Sequence, residues 1–117
     1  PPAELDPFGA KLCVHARSGW VPFHRGAAPL RRLYLLARGE ASEPRVNGVP
    51  PVAAVRHLLE HLFCASLLDD ALIAGALPRL ARLAARVPVR RLAFPAGFGH
   101  LRAVAEAVLA DVAEGAP

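Results

Sequence analysis

The chain has 117 residues, a hydrophobic fraction of 54% and a formal net charge of +4. These values exclude a disordered polymer and allow one hydrophobic core. No apolar run is long enough to cross a bilayer, and no secretion signal is visible at the start. We therefore expect a cytoplasmic protein without a membrane partner, in which Cys13 and Cys64 are free thiols.

The basic residues are almost all arginine, and they are scattered along the chain. A basic balance favours an anionic partner, but the closest arginine pairs are only Arg31-Arg32 and Arg90-Arg91. The seven aromatic residues are not interleaved with the arginines, as stacking on bases would require. The sequence therefore argues against nucleic acid as the partner.

The first third of the chain predicts strands. Prolines and a glycine make residues 1–9 an irregular entry. Residues 10–16 predict a short strand, and residues 19–24 predict a second strand or an extended loop, since a proline interrupts them. Residues 30–38 predict the clearest strand. The continuous apolar run at 33–36 within it is typical of a central strand covered on both faces.

The middle of the chain predicts helices. Residues 40–51 predict a polar loop, and the two prolines at its end suit the first turn of a helix. Residues 52–63 then predict an amphipathic helix. Ser66 is a predicted N-cap, with Asp69 in the capping-box position, for a short helix over 67–74.

The last part predicts a helix, a strand and a helix. Because Pro78 lacks an N–H group and crowds the preceding turn, we expect a new helix over 78–86, with a single kinked helix as the alternative. Residues 89–94 predict a strand, and residues 100–113 carry a clear apolar stripe on a helix.

The predicted order is β-β-β-α-α-α-β-α, an α/β fold with a small mixed sheet and covering helices. Residues 1–117 form a single domain or a C-terminal domain fragment. The helices at 52–63 and 100–113 should cover the long strand, so Leu35 and Leu109 should be buried. Three polar side chains should be exposed: His57, Glu60 and Arg102.

Three segments carry a family resemblance. They are residues 28–39 (APLRRLYLLARG), the helix at 52–63 and residues 86–94 (RVPVRRLAF). Together they resemble the C-terminal portion of bacterial serine-kinase-like proteins of the HPr kinase/phosphorylase group. The core of that group belongs to the P-loop kinase class shared with phosphoenolpyruvate carboxykinase. The resemblance implies a larger P-loop kinase-like fold, with ATP and Mg as cofactors of the complete protein and an upstream nucleotide-binding half as partner.

The phosphate-binding loop is missing from this sequence. There is no G-x-x-x-x-G-K-[ST] pattern, and Lys11 is the only lysine. The family's loop and its metal-binding acidic residue would lie upstream of Pro1, so the chain itself predicts no cofactor. We expect the C-terminal portion of an ATP-dependent kinase acting on a protein or small molecule. The alternative is a non-catalytic regulatory or partner-binding module. The sequence is compatible with an oligomer, and it does not decide whether the protein is an enzyme.

Candidate phosphate contacts lie before the long strand. The resemblance places Arg17, His24 and Arg25 near the end of the nucleotide-binding core. Guanidinium groups there could bind two phosphoryl oxygens at once. The alternative is that these are ordinary loop residues on the surface.

A second candidate pattern is His57-Leu58-Leu59-Glu60-His61, which matches the inverted zincin motif H-x-x-E-H. Histidines at i and i+4 share one helix face, where they could hold zinc beside the glutamate. Glu106 is the candidate third ligand. The alternative is a solvated helix face, and we expect no bound zinc because no further ligand completes the tetrahedral set.

Overall fold

The computed structural model of the protein describes residues 3–5, 12–14, 24–62 and 69–115. Its elements are mixed α/β, as predicted, and in this part of the chain no helix is long and apolar enough to span a membrane. In chain order they are β1 (Ala3–Leu5), β2 (Leu12–Val14), β3 (Leu33–Arg38), β4 (Arg45–Gly48), α1 (Pro51–Glu60), α2 (Asp70–Arg86), β5 (Val89–Phe94), a 3₁₀ turn (Phe98–His100) and α3 (Leu101–Glu114).

The main sheet has three strands in the order β3-β5-β4. Strand β3 is parallel to β5, and β4 is antiparallel to it, whereas β1 and β2 form a separate antiparallel pair. The prediction that the 33–36 strand is central was therefore wrong. Strand β5 takes that place because it pairs on both sides and buries Val89, Leu92 and Ala93.

Two strands lie in segments that were expected to be irregular. The predicted loop at 40–51 contains β4, and the predicted irregular entry at 1–9 contains β1. In β4 only Val46 is a large apolar residue, so the strand lacks hydrophobic alternation. It is held in place by its backbone hydrogen bonds to β5. Of the strand or extended loop predicted at 19–24, only His24 lies within the described residues, and it is not in a strand.

Helices α1 and α2 pack together on one face of the sheet. Their core consists of Ala54, Ala84 and Val89, with five partly buried residues around it: Leu33, Leu35, Val49, Val55 and Leu58. Alanine at the contact lets two helix backbones approach closely. Helix α1 begins with Pro51 in its first turn, as the proline pair predicted.

Helix α2 is continuous from Asp70 to Arg86 and contains Pro78, so one helix, not two, occupies the described residues between 69 and 86. The preferred prediction of separate helices was wrong, and one helix is correct. Pro78 is exposed, so the carbonyl group freed in the preceding turn can be hydrated. The N-cap is Asp69, whose carboxylate accepts a 2.8 Å hydrogen bond from the Leu72 N–H group. The predicted cap, Ser66, lies outside the described residues.

Helix α3 lies on the other face of the sheet. Its sequence stripe predicted that Leu109 faces the sheet, but Leu109 is 69% exposed and the prediction was wrong. The partly buried positions are Val104, Ala107, Val108, Asp111 and Val112. At about 100° per residue, this face is rotated by roughly 60° from the apolar stripe.

Candidate functional site

A polar cluster joins α3 to the sheet. The Tyr34 hydroxyl group donates a 2.7 Å hydrogen bond to Asp111 Oδ2. The Nε atoms of Arg32 and Arg90 each lie 3.4 Å from one oxygen of the same carboxylate. Tyr34 and Arg90 are register partners on the parallel strands β3 and β5, which places both side chains on the face that α3 covers. We call these four residues the Asp111 cluster.

The Asp111 cluster is largely removed from water. The side chains of Arg32 and Asp111 are only 8% and 11% exposed, and that of Arg90 is 32% exposed. Two cations share one carboxylate, and both Nε atoms are buried without a hydrogen-bond partner in the described part of the chain. Removing the carboxylate would therefore leave one buried and one partly buried positive charge uncompensated.

The environment of the cluster also changes the acidity of Tyr34. Burial, followed by the hydrogen bond to Asp111 and its negative charge, raises the pKa of Tyr34 to about 12. The hydroxyl group is therefore protonated at neutral pH and acts as a donor. Since every carboxylate contact is made within the protein, the cluster is suited to holding α3 on the sheet and not to binding substrate.

The predicted phosphate contacts are only partly described. Arg17 lies outside the described residues. His24 and Arg25 are exposed in the segment that leads into β3, and neither forms a hydrogen bond or ion pair with another described residue. Their position leaves them accessible, and the Asp111 cluster does not include them.

The predicted zinc ligands are not brought together. His57 Nδ1 lies 3.2 Å from Glu60 Oε2, and His57 is half-buried where we expected it to be exposed. Glu106 lies on α3, on the opposite side of the sheet, where it accepts a 3.0 Å hydrogen bond from Arg102. Across the described ranges, no group of three histidine, cysteine or acidic residues could hold a metal ion.

The histidines instead line a cavity of about 270 Å³ between α1 and the sheet. Arg91 and Glu40 also line it, and they form an ion pair with each other. Arg91 is therefore paired with Glu40. Among the described residues that line the cavity, no arginine or lysine lacks an ion-pair partner.

The outer edge of β3 is a second candidate site. The N–H groups of Leu33 and Gly39 donate to Pro88 and Phe94 of the β5 segment. Because N–H groups alternate along a strand, those of Tyr34, Leu36 and Arg38 point away from β5. None of the described strands pairs with this edge.

Large apolar side chains are exposed on the α3 side of the sheet. Leu36 is 69% exposed, and Phe98 is 90% exposed. Phe98 and Leu101 border a cavity of about 180 Å³ with Arg38 and Phe94. Together with Leu109, these residues form what we call the apolar surface: Leu36, Phe98, Leu101 and Leu109.

Sequence reasoning missed the Asp111 cluster. The one available signal was the position of Asp111 beside the edge of the apolar stripe of α3, since a carboxylate that is buried there needs a cation as its partner. Comparison with protein-family models, with curated proteins and with solved structures finds no match to this chain.

Proposed function

We propose that the domain is the C-terminal portion of an ATP-dependent kinase of the HPr kinase type, in which it completes the fold of an upstream nucleotide-binding half. The observation that carries the proposal is the outer edge of β3, which no described strand covers and where three N–H groups point outward beside an exposed Leu36. The sequence resemblance of residues 28–39 and 86–94 supplies the identity of the partner.

The outer edge of β3 presents backbone N–H and C=O groups that no described strand pairs with. Exposed strand edges pair with other strands, and native proteins cover or charge them. On β3 the side chains of Tyr34 and Leu36 carry no charge, and Arg38 is the only charged residue in the strand. A strand of the upstream half, placed beside β3, would accept hydrogen bonds from the outward N–H groups of β3 and bury Leu36.

The apolar surface supports the same arrangement. Leu109 and Leu101 lie on α3, on the side of the sheet that carries Leu36. Burying apolar area contributes about 25 cal/mol per Å², so covering Leu36 together with the β3 edge would stabilise the assembled fold. In that fold, nucleotide chemistry belongs to the upstream half, and the exposed His24 and Arg25 would supply contacts to a phosphoryl group.

Calorimetry with Mg-ATP tests the proposal. The chain alone should bind Mg-ATP no more tightly than millimolar, because its sequence has no phosphate loop. A longer protein that includes the residues encoded upstream of Pro1 should bind in the micromolar range. Replacing Arg25 with glutamine in that protein should weaken substrate phosphorylation, whereas the control R45Q, on the short strand β4, should not.

A partner-binding module without catalysis is the second candidate. It is favoured by the absence, in the described residues, of any lysine or assembled metal site. The upstream sequence separates the two functions: a glycine-rich loop with lysine, followed by an aspartate at a strand end, supports the kinase. An upstream sequence lacking both would contradict it and leave the partner-binding module.

A further inference from the structure

Helix α2 carries a ridge of arginines. Arg79, Arg82 and Arg86 are all exposed, and they follow the spacing i, i+3, i+7. At about 100° per residue they fall within an arc of roughly 60°, and they extend over about 10 Å of helix. The opposite side of α2 packs against α1, where Ala84 lies in one core with Ala54. We call the three residues the arginine ridge.

The arginine ridge is not neutralised by the described residues. No carboxylate in that part of the chain lies within ion-pair distance of any of the three guanidinium groups. Arg91 pairs with Glu40 and Arg102 with Glu106, whereas other exposed arginines, such as Arg45 and Arg56, likewise have no acid within ion-pair distance among the described residues. Within the ridge, like charges stand at i, i+3 and i, i+4, an arrangement that destabilises an isolated helix.

The spacing indicates what the ridge would bind. A second helix lying along α2 has the same rise per residue, so carboxylates at i, i+3 and i+7 on it can face all three arginines. Ala85, which flanks the ridge, is exposed and small, so it does not hold such a helix away. The ridge offers no aromatic side chain on which bases could stack.

We propose that the arginine ridge of α2 binds an acidic helix of a protein partner. The ridge lies on the α1–α2 side of the sheet, and the apolar surface lies on the α3 side, so the two surfaces can be occupied independently. A second copy of this chain is a poor occupant, because antiparallel packing of two α2 helices would bring the ridge against itself.

Fluorescence anisotropy tests the proposal with the chain and three labelled probes. The first is a helical alanine-based peptide with glutamates at i, i+3 and i+7, and the second carries the same glutamates spread around the helix. The third is a single-stranded DNA oligomer. We expect the first peptide to bind about tenfold more tightly than the second, as three rim charge pairs would give.

Two triple variants locate the binding. R79Q/R82Q/R86Q should lose the first peptide by about tenfold, whereas R31Q/R45Q/R56Q, with the same change in charge, should change its affinity less than twofold. Circular dichroism confirms that both variants fold. Equal losses in the two variants, equal binding of the two peptides, or tighter ridge-dependent binding of the DNA would each overturn the proposal.

Discussion

The hydroxyl group of Tyr34 donates a 2.7 Å hydrogen bond to Asp111, 77 residues later in the chain. This bond joins β3 to α3, and it turns the acidic residue of α3 toward the sheet. Leu109, two residues earlier, consequently faces solvent. The polar contact therefore determines which face of α3 is exposed to solvent.

Replacing Asp111 with asparagine should destabilise the domain by about 3–5 kcal/mol. The substitution removes the carboxylate that compensates two partly or fully buried arginines, and breaking a buried pair has a cost of that size. E106Q on the same helix is the matched control. Its partner Arg102 is 91% exposed, so the change should be less than about 0.5 kcal/mol. Urea unfolding at pH 7 measures both, and equal effects would contradict the account.

Replacing Tyr34 with phenylalanine should change how stability depends on pH. The pKa of Tyr34 is raised to about 12 in the folded state, against about 10 in the unfolded chain. The stability that its hydroxyl group contributes is therefore fully present below pH 10 and is lost as pH rises toward 12.

Thermal unfolding at several pH values from 8 to 12 measures this effect. The wild-type protein should lose more stability than Y34F between pH 10 and 12, because only the wild-type tyrosine releases a proton on unfolding there. If stability falls with pH equally in the two proteins, the Tyr34 hydroxyl group has the same environment in the folded and the unfolded state, which would contradict this prediction.

Truncating Leu92 to alanine should cost about 2–5 kcal/mol, because Leu92 is 2% exposed in the central strand. The same truncation at Leu109, which is 69% exposed, should cost less than about 0.5 kcal/mol in this chain. Denaturant unfolding compares the two. A large loss at Leu109 would mean that the sequence stripe, and not the Asp111 cluster, orients α3.

Part of this fold follows from sequence pattern. The strands at 33–38 and 89–94 and the helices at 51–60 and 101–114 lie in the segments where apolar runs or amphipathic spacing predicted them, with some ends shifted by a few residues. Strand β4 was missed because its hydrogen bonds to β5 are made across the chain and leave no local pattern. The rotation of α3 was missed because it depends on one carboxylate meeting two distant arginines.

The candidate site was harder to predict than the fold. The histidine pair on α1 follows from helical spacing, but whether Glu106 reaches it depends on which face of the sheet α3 covers. Whether β3 lies at the edge depends on strand order, which a continuous apolar run does not specify. The run at 33–36 has the same pattern in a central strand and in an edge strand.

Purified chain should contain no stoichiometric zinc. His57 is engaged with Glu60, and Glu106 lies across the sheet from the histidines. Elemental analysis after purification without chelator measures the metal content. One zinc per chain that is lost in both H57A and H61A would identify a metal site and contradict this prediction.

The central claim is that the β3 edge receives a strand from an upstream half. Amide hydrogen exchange, followed by NMR, tests it at single residues. In the chain alone, the N–H groups of Tyr34, Leu36 and Arg38 should exchange quickly, whereas those of Leu35 and Ala37, directed at β5, should be protected.

In the longer protein that includes the upstream residues, the amide of Leu36 should exchange at least about a hundredfold more slowly than in the chain alone. The exchange rate of the Leu35 amide should change little. This is the result that the account predicts. An unchanged exchange rate at Leu36 in the longer protein, or full protection of Leu36 in the chain alone, would contradict it.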